Sequence, residues 1–351
     1  MDSDSVLSYD MKMEILSRTS LKTLDAMRCS NKEFNKLAYD SCFLNMYKKK
    51  NNVVSGLIVQ SISDRKFVKE FIPSRESTSL DLSFLPNSAP VLASSEQGIM
   101  VLETNSPRRV MFSICKPATK QFLLLPPNII KRYKTIMVAV IVVGSTPLRY
   151  KIVRLSQPGE LERLRWPSTY CCEVFNSTTW TWRQLNNNIT LPHSVFFSRP
   201  SITARGSTYV LLTDGNVMKF DTRSEKWTTF SSPVTTRTIE VYPYMKLVKY
   251  QDKLGFACKQ LNGFWEIWVL AVDESWEKTY VLNKEDTRRM SLEGLYDLNT
   301  SVMLDHNIVL FCGFEGGDNI RTVISSPPPY VTFLLRSDFE PVDLGGHKSP
   351  G

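Results

Sequence analysis

The hydrophobic rhythm of the chain changes once, near residue 50. Before that point apolar residues recur at helical spacing: Met11 and Ile15 lie four apart with Leu16 beside them, and Leu21, Leu24 and Met27 follow three apart. Polar residues able to close a first turn precede these groups. Ser8 and Ser20 are candidate N-caps, and Ser30 followed by Glu33 forms a candidate capping box ahead of Phe34, Leu37 and Ala38. A last short helix is expected to carry Phe43, Met46 and Tyr47. After residue 50 the pattern becomes that of strands. Aromatic and β-branched runs at 134–143, 207–212 and 264–272 are bounded by Gly, Pro, Asn, Asp and Ser. Helical spacing is not sustained there beyond short stretches near 160–165.

Glycine and proline mark the same boundary. The first fifty residues contain neither, and the remaining 301 hold all fifteen Gly and all nineteen Pro. The expected organisation is a small all-α module at 1–47 followed by a mainly β domain at 48–351. A module under about fifty residues seldom stabilises itself by more than a few kcal/mol without a staple. Its apolar set exceeds what three short helices hide from one another, so Leu7, Met11, Ile15, Leu16 and Leu24 should be covered by a partner protein or by the downstream domain. The pattern alone leaves both open.

A repeat runs through the β region. Phe175-Asn176-Ser177-Thr178-Thr179-Trp180-Thr181-Trp182 matches Phe220-Asp221-Thr222-Arg223-Ser224-Glu225-Lys226-Trp227 at an offset of 45 residues. A weaker copy spans Cys115-Lys116-Pro117-Ala118-Thr119-Lys120-Gln121-Phe122, and a degenerate one runs from Val269 to Trp276. Each reads as a strand ending, a polar turn and a new strand opening on an aromatic residue. Spacings of 45–60 residues fit one four-stranded sheet per repeat. At about 45–50 residues per unit the β region has room for a six- to seven-bladed β-propeller-like domain; a non-repeating β-sandwich is the alternative. Trp182, Trp227 and Trp276 are expected in the core, with Trp166, Trp180 and Trp265 less constrained.

Composition narrows the chemistry. Seven cysteines at irregular spacing, with no CxxC and only three histidines, describe neither a disulfide framework nor a zinc site. They read as reduced, buried thiols in a reducing compartment. The formal charge of +8 is spread along the chain. Its one cluster, Lys48-Lys49-Lys50, reads as a solvated helix end, and no nucleic-acid partner is expected. The longest apolar run, 136–143, is strand-length, so no membrane span is expected. The opening Met1-Asp2-Ser3-Asp4 lacks a basic start and an apolar core, so a secretory signal is not expected and the sequons at Asn176, Asn188 and Asn299 read as chance matches. His193, His306 and His347 stand in no nucleophile motif, and the glycine-rich Gly313-Phe314-Glu315-Gly316-Gly317-Asp318 reads as a turn. No catalytic residue, cofactor or metal is expected.

The N-terminal segment resembles an F-box: Leu7-Ser8-Tyr9-Asp10-Met11, then Glu14-Ile15-Leu16-Ser17-Arg18, Leu21-Lys22-Thr23-Leu24, and Arg28-Cys29-Ser30-Asn31-Lys32-Glu33-Phe34 with Leu37. Ser8 and Thr19-Ser20 stand where that family has its first proline and its later Leu-Pro, Ser30-Asn31 replace Val-Ser, and Phe34 replaces Trp. The β region resembles the F-box-associated domain of plant F-box proteins. The marks are Gly98, Cys115 to Lys120, Leu125-Pro126, the two repeats above, Gly206 with Tyr209, and Glu266-Ile267-Trp268-Val269-Leu270. This resemblance implies a non-catalytic, cytoplasmic or nuclear subunit of a Skp–cullin–F-box ubiquitin ligase. Its helical module would dock on a Skp-type adaptor, and through it a cullin, while the β domain holds an unidentified target protein. It implies Leu7, Ser8, Asp10, Met11, Ile15, Leu16, Leu21 and Leu24 as adaptor-facing residues, with Arg28 and Phe34 holding the helices together. The competing reading is a β-propeller interaction protein that no longer joins a ligase. Target-binding loops are not identifiable; the Asn-rich segment 185–193 is one candidate.

Overall fold

The structure is a computed structural model and describes residues 8–20, 23–24, 27, 30, 32–37, 41–50, 53–73, 79–95, 97–106, 109–131, 133–145, 147–157, 168–186, 188–192, 195–198, 200–234, 245–250, 253–259, 265–282, 300–305, 308–312, 320–323 and 330–345.

The N-terminal module contains helices α1 (Tyr9–Ser17), α2 (Lys32–Leu37) and α3 (Ser41–Lys50). Ser8 caps α1 as expected: its backbone is extended and its hydroxyl accepts the Met11 N–H at 3.2 Å. Ser20 does the same for the next turn, accepting the Thr23 N–H at 3.1 Å. The Ser30 hydroxyl donates to the Met27 carbonyl at 2.8 Å, while Glu33 pairs with Lys12 at 2.6 Å and ties α2 to α1. The module has a core of its own, made of Met13, Leu16, Leu24, Leu37, Phe43 and Tyr47, with Met27, Phe34 and Met46 packed against it. Helix α3 runs past residue 47 to Lys50, and the first strand starts at Val53.

The described strands form six antiparallel sheets. Five use consecutive strands. The first is β3 (Val91–Ser94), β4 (Met100–Ser106), β5 (Arg109–Lys116) and β6 (Gln121–Leu124). The second is β7 (Lys134–Ser145), β8 (Leu148–Gln157), β9 (Ser168–Asn176) and β10 (Thr181–Gln184), with β11 (Ile189–Leu191) added to β9. The third is β12 (Ile202–Ala204), β13 (Ser207–Leu211), β14 (Asn216–Asp221) and β15 (Lys226–Ser231), and the fourth is β16 (Met245–Tyr250), β17 (Lys253–Lys259), β18 (Trp265–Leu270) and β19 (Trp276–Leu282). The fifth has three strands, β20 (Thr300–Asp305), β21 (Ile308–Cys312) and β22 (Ile320–Val323). The sixth joins the two ends of the β region: β1 (Val53–Ser63) pairs with β2 (Lys66–Pro73) on one side and β23 (Tyr330–Asp338) on the other. The leading strands lie side by side in the order β23, β3, β7, β12, β16, β20. This is a radial, propeller-like arrangement.

The expectation of six to seven blades from one constant unit is corrected. Five sheets are built from consecutive strands. The remaining, three-stranded sheet is shared by residues 53–73 and 330–338 from the two ends of the β region, so a constant 45–50 residues per blade does not describe the whole domain.

The repeat is the outer hairpin of the sheets. The turns β5–β6, β9–β10, β14–β15 and β18–β19 carry Lys120, Trp180, Glu225 and Glu274 in the left-handed region, each two residues before an aromatic residue at the first or second position of the outer strand. The Asx residues hold the turns. Asn176 Oδ1 accepts the Thr178 N–H at 3.0 Å, and Asp221 Oδ1 accepts the N–H groups of Arg223 and Ser224 at 3.0 and 2.7 Å. The third position points inward: Ser177 exchanges two hydrogen bonds with the Tyr150 backbone at 2.9 and 3.0 Å, and Thr222 donates to the Gly206 carbonyl.

The core lies between adjacent sheets. Along β7, Val138 and Val140 face the sheet before it, while Met137, Ala139 and Ile141 face the sheet after it. A strand covered on both faces reads as an unbroken apolar run, which accounts for 136–143. Trp182 is buried, whereas Trp227 and Trp276 are half-buried against their clusters. Cys115, Cys171, Cys172 and Cys258 are buried, and burial pushes the Cys172 thiol up to about 12.

Candidate functional site

Among the described residues, two surfaces combine exposed apolar or charged side chains with a braced setting. The first is on α1. Its inner side supplies Met13, Leu16 and Ser17 to the module core. Met11 and Ile15, one turn apart on the opposite side, remain 52% and 49% exposed. Glu14, beside them, is bound by Lys50 of α3 at 2.5 Å and by Arg18 at 2.6 Å, which hold its carboxyl below the usual range. These contacts fix α1 against α3, so the exposed apolar pair sits on a braced helix. Ser8 caps the helix, and Asp10 lies exposed in its first turn.

Two residues of the expected adaptor-facing set lie in the module core. Leu16 and Leu24 are each 1% exposed inside the module core, because the helices must close on some aliphatic residues and these point inward. Leu7 and Leu21 lie outside the described residues, as do Arg28, the three histidines and the 313–318 glycine run. In the Asn-rich segment 185–193, Leu185, Ile189 and Leu191 are buried and β11 pairs with β9, while Asn187 and His193 lie outside the described residues.

The second surface is a cleft of about 430 Å³ beside β2, lined by residues from β1, β2 and the 80–87 segment, and it was not foreseen from the sequence. The β1–β2 hairpin turns through Asp64 and Arg65, both left-handed, as a two-residue connection. Lys69 reaches into the cleft. Its ammonium donates to the carbonyl of Pro86 at 2.8 Å and contacts that of Phe67 at 3.4 Å; among the described residues no carboxylate pairs with it. Burial lowers its pKa to about 8. A lysine within an alternating strand carries no local sign of this environment, which depends on a segment that packs across it.

Two buried ion pairs serve the scaffold. Arg154 and Glu173 are both fully buried, and Arg154 also donates to the carbonyls of Ile130 and Tyr133 at 3.1 and 2.7 Å. Lys116, 2% exposed, binds Asp338 and the Glu340 carbonyl at 2.5 Å each, fastening the C-terminal segment to β5. Among the described residues no cluster of His, Cys, Asp and Glu is placed to hold a metal, and no helix is long and apolar enough to cross a membrane.

The sequence matches the family described as the F-box associated beta propeller domain over residues 42–313. An F-box protein of Arabidopsis thaliana is 29% identical over 166 residues, covering 44% of this chain and 88% of that protein. A second Arabidopsis protein, named as a putative F-box protein, is 25% identical over 307 residues, covering 79% of this chain and 68% of its own length. Among solved structures, TolB of Acinetobacter baumannii aligns with a TM-score of 0.46 and 6% identity over 82% of this chain and 66% of TolB. The hairpin repeat, the radially ordered sheets and this match over 42–313 agree, and the chain belongs to the F-box associated β-propeller domain family.

Proposed function

We propose that the chain is the target-recognition subunit of a Skp–cullin–F-box ubiquitin ligase, acting in the cytoplasm or nucleus. The observation that carries this reading is the pair Met11 and Ile15, half-exposed on a helix whose other side is already committed to the module's own core. An apolar pair of this kind, flanked by Ser8 and Asp10, suits a Skp-type adaptor helix that in turn hangs from a cullin. The propeller then holds a target protein within reach of a ubiquitin-loaded enzyme. The chain supplies proximity, which acts as an effective concentration, and no bond chemistry of its own.

The test is co-purification of the full chain with a Skp-type adaptor. Wild type is expected to give a stable complex. The Met11→Asp/Ile15→Asp double variant is expected to lose it while melting at the wild-type temperature, because both side chains are exposed. Equal recovery of adaptor by both proteins removes the assigned face. No recovery by wild type favours the other reading, a propeller that binds its partner without a ligase. Its N-terminal departures have structural uses of their own: Ser8 caps α1, and the Thr19 hydroxyl donates to the Leu16 carbonyl at 2.7 Å.

A further inference from the structure

The sixth sheet stops one strand short of the four-stranded sheets. Strand β23 lies innermost, against β3; β1 follows, and β2 is the outer edge. The backbone direction along that edge is set by one contact: the Phe67 N–H donates outward to the Asn87 carbonyl at 2.8 Å. Alternation then turns the N–H groups of Lys69 and Phe71 outward as well, and neither has a partner among the described residues. The cleft lies here. Lys66 and Val68 line it from one face of β2 and Lys69 and Phe71 from the other, so it follows the strand's edge. Its far wall is Leu80, Leu82 and Ser83. The lining carries two cations, Lys66 and Lys69, against one carboxylate, Asp64.

Two outward edge amides without a partner among the described residues and an excess of positive charge define one kind of occupant. We propose that this cleft captures an extended peptide segment bearing an acidic side chain, added to β2 as a fourth strand, with its main chain bonded to the amides of Lys69 and Phe71 and its carboxylate on Lys69. The proposal rests on the reading that the propeller captures a protein target, and it names the class of segment recognised. Burial disfavours the charged form of Lys69, and a carboxylate on its ammonium would offset that cost.

The test uses the purified full chain without adaptor and a fluorescent heptapeptide, N-acetylated and C-amidated, of sequence Thr-Val-Glu-Val-Glu-Val-Thr, read by anisotropy. The Glu-to-Gln peptide and the Lys69→Gln variant are each expected to weaken binding by about ten- to a hundredfold, the worth of a charge-assisted bond. N-methylation of alternate peptide amides, and Ser83→Trp at an exposed position of the cleft wall, are expected to abolish it. Ser83→Trp keeps the test valid should Lys69→Gln fold poorly. Equal binding of the Gln peptide, retention by the N-methylated peptide, or displacement by hexanoate as effectively as by the peptide would overturn the proposal. Adaptor co-purification separates the two readings. Lys69→Gln should keep the adaptor, and the Met11→Asp/Ile15→Asp double variant should keep the peptide.

Discussion

Replacing Arg154 by methionine removes the cation from an ion pair whose two side chains are both fully buried. Glu173 is left with the Ile130 N–H at 2.8 Å as its remaining donor, and the carbonyls of Ile130 and Tyr133 and the hydroxyl of Thr135 each lose a bond. Breaking a buried pair from one side costs about 3–5 kcal/mol, most of it the penalty of the stranded charge. That is a large share of the roughly 5–15 kcal/mol that holds a domain folded. The double variant Arg154→Met/Glu173→Leu strands no charge and should regain about 1–3 kcal/mol relative to Arg154→Met alone. Arg183→Met is the control. Arg183 also pairs with a glutamate, Glu225, but is 61% exposed and should cost no more than about 1 kcal/mol. Urea unfolding followed by tryptophan fluorescence reads all three, and Trp182 reports locally because its indole N–H donates to the Pro126 carbonyl at 2.9 Å. A loss below about 1 kcal/mol for Arg154→Met, or strictly additive losses in the double variant, would refute the account.

Three further outcomes are expected. Gly98 has a φ of +75° and an added Cβ would lie 2.2 Å from Ser337 Oγ, whereas Gly206 has a φ of +71° with open space around it; Gly98→Ala should therefore lower the melting temperature clearly more than Gly206→Ala. Asp221 is held below the usual carboxylate range chiefly by the Ser224 N–H, and Asp273 by the Ser275 hydroxyl, so both favour the folded state above their unfolded values near about 4. Their contribution to the urea midpoint should be lost as the pH falls below that value, with a shallower fall in Asp221→Asn. Lys69 has a folded value of about 8 against its ordinary 10.5, so the unfolded chain binds more protons between them and its contribution to stability rises with pH across that window. Lys69→Met should be more stable than wild type at pH 7 by roughly 1 kcal/mol, a figure discounted for the partial exposure of this lysine, and the gap should close towards pH 10.5; a gap that stays constant would assign the effect to packing.

The local elements were legible because their causes are local. Ser8 and Ser20 could be read as caps since a hydroxyl bonds an amide only three residues away. The octets at Phe175 and Phe220 were legible as hairpins since Asx residues and left-handed turn positions write their own short signal. The run 136–143 announced a strand, though not that it is covered from both sides. What the order of residues left open was every question of which face meets what. Met11, Ile15 and Leu16 are equivalent as an apolar cluster on a helix, and only the packing of α1 against its neighbours sends Leu16 inward and leaves the other two outside. The sharing of one sheet by β1, β2 and β23 depends on pairings between the two ends of the β region, such as Val53 with Asp338, which no local rule encodes. The cleft at Lys69 exists because residues 80–87 cross beside an edge strand. Sequence by itself thus determined the helices, the hairpin unit and the change from one to the other, since short-range hydrogen bonds and side-chain periodicity set them. Tertiary structure decided the sheet count, the exposed face and the cleft, because each is a relation between surfaces that the chain brings together only by folding.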